Sequence, residues 1–288
     1  MNDYLLSTLL GVVEGVTEFL PVSSTAHLRI TEALVGVDLG NGYWKMFTIV
    51  IQLGAVACLP IYFRARIAAF VASFFRAVRE GGELLRQPLT LTLAAFVCTA
   101  VPSLLLLELI GKHLESLGVM AWSLILGGVV MWMVDALYAG GGLATDTDRM
   151  EQMSFGQAVW IGLCQTASAV FPGTSRSMAT IAAGQLGGMS RAGALEFSFF
   201  LSMPTMVAAT GLDLVKALRG GAGPLGPAQV DAHGWVLLAV GFVVSFAVAY
   251  GVVAWFMSWV RNRGFVPFAV YRIVAGVAVL WWAARGGR

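Results

Sequence analysis

Eight stretches of this chain are apolar over membrane-crossing lengths, and two of the eight are broken in the middle. A helix needs about 20 apolar residues to cross a bilayer. Six stretches supply them without interruption, at 43–63, 89–110, 118–138, 192–217, 234–258 and 267–284. The other two, 3–36 and 154–188, are cut at Pro21 and at Pro172-Gly173, and their halves are too short to cross. Backbone broken at membrane depth is tolerated only where it is buried in protein or lines a polar cavity. Both are therefore read as re-entrant helix–turn–helix hairpins. The expected fold is an all-α polytopic membrane protein of six transmembrane helices plus two such hairpins. Composition agrees, since charged residues make up 12% of the chain where a soluble domain carries about 25%.

Several function classes fall away. The basic residues are spread over many loops and form no cluster interleaved with aromatics, so no nucleic-acid partner is expected. Cys58, Cys98 and Cys164 lie in apolar segments at no metal-ligand spacing and read as small buried hydrophobes. The first residues, "MND", are acidic, and Glu14 and Glu18 interrupt the apolar run that follows. That run is expected to be retained rather than cleaved as a signal.

The two broken stretches are alike. Setting Pro21 on Pro172, an offset of 151 residues, places Gly11 on Gly162, Glu14 on Gln165, Thr17 on Ser168 and Ser24 on Ser175. The chain is then one integral membrane domain of two repeats, about 1–140 and 152–288. Each repeat is a hairpin plus three spans, and an odd number of crossings inverts the second relative to the first, as in many transporters. Placing the loop 64–86 in the cytoplasm puts nine basic residues inside and six outside, in line with the positive-inside rule. The first hairpin then opens outward and the second inward, and their tips meet near the midplane.

The tips carry the chemistry. Glu14 and Glu18, at i and i+4, project from one helix face, and among Val, Phe and Leu they call for a cation, a metal or a shared proton. Beyond Pro21, "VSSTAH" opens a second half-helix, with Ser23 or Ser24 as its N-cap. Ser24 and His27, at i and i+3, are placed to face each other, and Ser23 and Thr25 beside them are candidate substrate-binding residues. A helix start also offers free N–H groups to a phosphate. In the other hairpin "PGTSRSMAT" supplies Gly173, Thr174, Ser175, Ser177 and Thr180 as candidate substrate-binding residues, and Arg176 as a bidentate phosphate donor or a counter-ion to Glu18. Carboxylates, a hydroxyl, an imidazole and a guanidinium together suit phosphoryl chemistry. Arg29 and Arg272 are also intramembrane. Arg272 stands outside both motifs and is expected to tolerate lysine. Glu108, Asp135, Glu196 and Asp213 have no motif around them and read as structural or interfacial.

At these residues the chain resembles the undecaprenyl-diphosphate phosphatases, also called bacitracin-resistance proteins. "EGVTEFLPVSSTAH" is similar to that family's E/Q-x-x-x-E motif with its following Ser-Ser-Thr-Gly-His, and "PGTSRSMAT" to its P-G-x-S-R-S-x-x-T motif. The likeness continues through "GGMSRAGALEFSFFLSMP" and "FVPFAVYR", and so covers essentially the whole chain. Ala26 and Met178 stand where the family usually or often has glycine. The resemblance implies hydrolysis of a polyprenyl diphosphate lipid at the outer face of the bacterial cytoplasmic membrane, regenerating the carrier for peptidoglycan synthesis. Glu14, Glu18, Ser24, His27 and Arg176 would be catalytic, and Glu14 and Glu18 would hold a divalent cation, magnesium or calcium. The nucleophile is left open between Ser24 and His27, and a homodimer is compatible with the family. The alternative is a transporter or flippase for the lipid phosphate. A type-2 phosphatidic-acid phosphatase is disfavoured, because no histidine follows Arg176 at that family's spacing.

Overall fold

The computed structural model describes residues 2–37, 42–106, 116–142, 145–218 and 230–285. Among them run eleven α-helices and no strand, only a single bridge between Thr147 and Met189. The helices are α1 Asp3–Thr17, α2 Ser24–Val35, α3 Gly42–Tyr62, α4 Arg64–Glu80, α5 Pro88–Leu105, α6 Leu117–Ala139, α7 Phe155–Val170, α8 Arg176–Leu186, α9 Arg191–Leu218, α10 Ala232–Asn262 and α11 Val266–Ala284.

Six of these, α3, α5, α6, α9, α10 and α11, are long and apolar enough to cross a membrane, and they are the six expected from the sequence. The chain is an all-α polytopic membrane protein. The largest boundary differences are at α10, which continues to Asn262, and at α5, whose described part stops at Leu105. Glu108, Lys112, Arg219 and Arg288 lie outside the described residues, as do the side chains of Asp213 and Lys216. The segment 64–86, taken above as a loop, contains the helix α4. Its arginines keep it out of the spans, while Phe63, Ile67, Phe70 and Ala77 recur at helical spacing and drive one face onto the protein.

The stretches broken by proline form two helix pairs, α1–α2 and α7–α8. None of the four helices exceeds 16 residues, so none is longer than about 24 Å at 1.5 Å per residue, against an apolar core of about 30 Å. Each pair packs on a span from the other half of the chain: α1 lies along α10, and α7 along α5. Glycine makes both approaches. A methyl group at Gly11 would stand 2.9 Å from the carbonyl oxygen of Gly241, and one at Gly162 would overlap the carbonyl of Ala95. Hydroxyls bond across the same seams, from Ser7 to the carbonyl of Leu237 at 2.7 Å and from Thr99 to that of Gly162 at 2.8 Å. Small residues and interhelical hydroxyl bonds hold helices together where lipid removes most of the hydrophobic drive. The centre of the core is aromatic, with Phe19 edge-on to Phe199 at 5.4 Å and Phe63 at 5.1 Å from Phe200.

Candidate active site

Both tips turn on a serine in an unusual backbone conformation. Ser23 (φ 74°) and Ser175 (φ 71°) are the two non-glycine residues with positive φ among the described residues. Such residues cost of order 1–3 kcal/mol and cluster at functional sites. Each is an N-cap: the Ser23 side chain accepts from the Ala26 amide and that of Ser175 from the Met178 amide. Gly173 (φ 94°) makes the second turn, where a Cβ would press on the carbonyl of Met120.

The caps correct the register drawn from the sequence. Ser23 is two residues past Pro21, whereas Ser175 is three past Pro172. The second tip has one residue more, so Ser23 matches Ser175, and Ser24 matches Arg176 as the first residue of its half-helix. Constant offset had paired Ser24 with Ser175.

These two first residues converge on one carboxylate. Ser24 Oγ donates to Glu18 Oε2 at 2.6 Å, and Arg176 Nη2 donates to Glu18 Oε1 at 3.0 Å. Arg176 Nη1 also reaches the Ser198 carbonyl at 3.4 Å, while its buried Nε has no partner. Glu14, one turn before Glu18, is fully buried, and neither of its carboxylate oxygens has a hydrogen-bond partner. Ser177 Oγ donates to the Leu20 carbonyl at 3.0 Å, tying one tip to the other, and bonds Ser175 Oγ at 3.1 Å. Thr180 bonds Ser198 Oγ at 2.7 Å. Ser175, Ser177 and Thr180 are thus engaged in holding the tips. Thr25 is part-buried and joins none of these bonds among the described residues.

His27 does not bond Ser24. Its Nδ1 donates to the Ser23 carbonyl at 2.7 Å, which leaves Nε2 of the neutral ring to accept from Tyr271 at 2.6 Å, and the two rings stack at 5.6 Å. Tyr271 is half exposed on the outside of the bundle. It was missed in the sequence, where only its place in "FVPFAVYR" marked it.

Arg272, expected above to tolerate lysine, is bound to the tips themselves. It is fully buried and sits between the tips. Nη1 donates to the Pro21 carbonyl at 2.9 Å, and Nη2 lies 3.0, 3.1 and 2.9 Å from the carbonyls of Ser123, Gly173 and Thr174. It is the pin through both breaks. Gln165, in Glu14's place in the second pair, spends its amide on Thr99 and Thr205. Arg29 faces Glu32 at 3.9 Å, outside this group. Asp135 and Glu196 pair with Arg191 and Arg66, in the structural roles expected of them.

The chain is thus a polytopic helical membrane protein whose two broken helix pairs meet in a buried cluster of acid, hydroxyl and guanidinium. Comparison with known proteins assigns that arrangement to a family: the chain belongs to the bacitracin resistance protein BacA family, matched over residues 7–278. It is 65% identical to the undecaprenyl-diphosphatase of Koribacter versatilis, over 99% of this chain and all of that protein. It is 44% identical to that of Sorangium cellulosum, over 96% of this chain and 85% of the relative. With that of Novosphingobium aromaticivorans it shares 40% over 99% of each.

Proposed function

We propose that this chain hydrolyses undecaprenyl diphosphate to undecaprenyl phosphate and inorganic phosphate, and that Ser24, Glu18 and Arg176 carry the reaction. The observation that carries this is the pair of bonds to Glu18, from Ser24 at 2.6 Å and from Arg176 at 3.0 Å. A hydroxyl bonded to a carboxylate is a nucleophile with its base in place. Glu18 takes the Ser24 proton as Oγ attacks the terminal phosphorus. The bond to the bridging oxygen breaks, and the lipid monophosphate leaves with that electron pair. Water then cleaves the phosphoserine, and Glu18 returns the proton to Ser24. Arg176, donating from the other tip, holds the phosphoryl oxygens as charge shifts among them.

Glu14 fits a divalent cation. Its two buried oxygens have no hydrogen-bond partner, and magnesium commonly takes one or two carboxylates together with substrate phosphates. Glu18 is engaged on both oxygens, so Glu14 is the ligand left open. A bound cation would offset diphosphate charge there.

The burial of this cluster inside a membrane protein suits a substrate whose headgroup stays attached to a lipid tail. The arginine distribution supports an outward-opening first pair in the bacterial cytoplasmic membrane. The packing of each pair on the other half's span supports an inverted repeat.

Trapping the intermediate tests the nucleophile. Rapid acid quench of enzyme turning over a diphosphate labelled in its terminal phosphate should give acid-stable label mapping to Ser24. Acid-labile label on His27, or a single turnover with no labelled protein, would remove Ser24 from the role. Phosphate release in detergent, where no second compartment exists, separates hydrolysis from transport.

A further inference from the structure

The helix α4 belongs neither to the spans nor to the broken pairs. Its back is fixed to the protein: Arg66 Nε bonds Glu196 at 2.8 Å, another nitrogen of Arg66 bonds Glu151, and the Phe70 ring lies 5.2 Å from Phe200. Held this way, the helix cannot roll. Its free side carries Val71, Phe75 and Val78, with Phe75 64% and Val78 53% exposed. At 3.6 residues per turn these form one ridge, and Arg76 and Arg79 stand exposed beside it. Ala72, Phe75, Arg76, Val78 and Arg79 line a shallow groove there. Arg76 has no ion pair among the described residues, and Arg79 pairs only with the adjacent Glu80, both well exposed.

We propose that α4 is a docking surface for anionic phospholipid headgroups, with Phe75 and Val78 in the upper acyl region and Arg76 and Arg79 on the phosphates. An apolar ridge flanked by cations is how a helix lies in the plane of a membrane interface. The choice of occupant follows from charge: with Arg66 spent on Glu151 and Glu196, the helix still presents exposed Arg64, Arg76 and Arg79 against a single acid of its own, Glu80. The groove shares no residue with the Glu18 site, so the occupant is bilayer phospholipid rather than the diphosphate substrate.

Native mass spectrometry of the full chain, incubated with phosphatidylglycerol or phosphatidylcholine, is the test. Phosphatidylglycerol should be retained selectively, and the doubly substituted Arg76→Gln/Arg79→Gln protein should lose about tenfold or more of that retention. Its melting and its hydrolysis of a short-chain isoprenyl diphosphate in detergent should be unchanged. In vesicles, a fluorophore on Phe75→Cys, in a chain without its native cysteines, should be quenched by lipids brominated high on the acyl chain and spared by aqueous iodide. Equal retention of both lipids, retention unaffected by the double substitution, displacement of lipid by isoprenyl diphosphate, or quenching by iodide alone would each overturn the proposal.

Discussion

Arg176 Nη2 stands 3.0 Å from Glu18 Oε1, although 158 residues separate the two in sequence. The contact joins the two broken helix pairs, and it makes the site a property of both halves. A planar fork can hold Glu18 and phosphoryl oxygens together, which a point charge cannot. Arg176→Lys should therefore fail almost as badly as Arg176→Ala, with kcat falling at least as much as KM rises. Steady-state kinetics on a short-chain isoprenyl diphosphate in detergent check this, and normal turnover by the lysine variant would remove the clamp.

Glu18 and Glu14 should separate by kind of defect. Glu18→Gln removes the base bonded to Ser24 and should lower kcat by about 10²–10⁴-fold. Glu14→Gln should be milder, as Gln165 shows that an amide is accommodated at the matching position, and should chiefly raise the divalent cation concentration needed for half-maximal rate. Titrating magnesium and calcium against each variant measures both effects. Near-wild-type rates and cation dependence in the two variants would end the carboxylate assignment.

Arg272→Lys should be destabilised as well as slow, contrary to what its position outside the motifs implied. An ammonium cannot reach the four carbonyls that Arg272 serves, and each buried acceptor left unpaired costs about 1–3 kcal/mol. Thermal melting in detergent should show the loss alongside activity. Unchanged melting and turnover would mean the pin is dispensable.

The Glu151–Arg66 pair should respond to acid. Burial, the largest single influence, pushes the Glu151 carboxyl up, but hydrogen bonds from Arg66 and from its own backbone, with the charges of Arg66 and Arg149, together outweigh it and hold the group below the usual carboxylate range. A depressed carboxylate stabilises the fold fully above its unfolded value, about 4.3, and that stabilisation is lost as pH falls through the lower folded value. The attachment of α4 should therefore persist down to about pH 4 and loosen below it. A spin label on α4 would report this, and loosening already near neutral pH would contradict it.

Orientation can be read by labelling a chain whose three cysteines are alanine. A cysteine at Ala232 should react with a membrane-impermeant thiol reagent on intact spheroplasts, and one at Glu83 should not. The reverse pattern would place the first pair's mouth in the cytoplasm.

Much of this protein was legible in its sequence because the information is local. Twenty apolar residues in a row make a span wherever they occur, and a proline with neighbouring polar residues inside such a run marks a break that must be covered by protein. Hence the six spans, the two broken pairs and the residues Glu14, Glu18, Ser24, His27 and Arg176 followed from hydropathy, spacing and motif. The partners of those residues did not. Ser24 on Glu18 rather than on His27, Tyr271 on His27 and Arg272 on four carbonyls arise where distant segments cross. Backbone acceptors carry no mark of residue type, and the extra residue at the second tip shifts the match between halves by one. α4 was obscured for a related reason: its arginines read as a loop until packing against Phe200 and Glu196 showed which face is buried. Helix propensity and hydropathy act along the chain, whereas a site assembled from two tips exists only once the helices around them have packed.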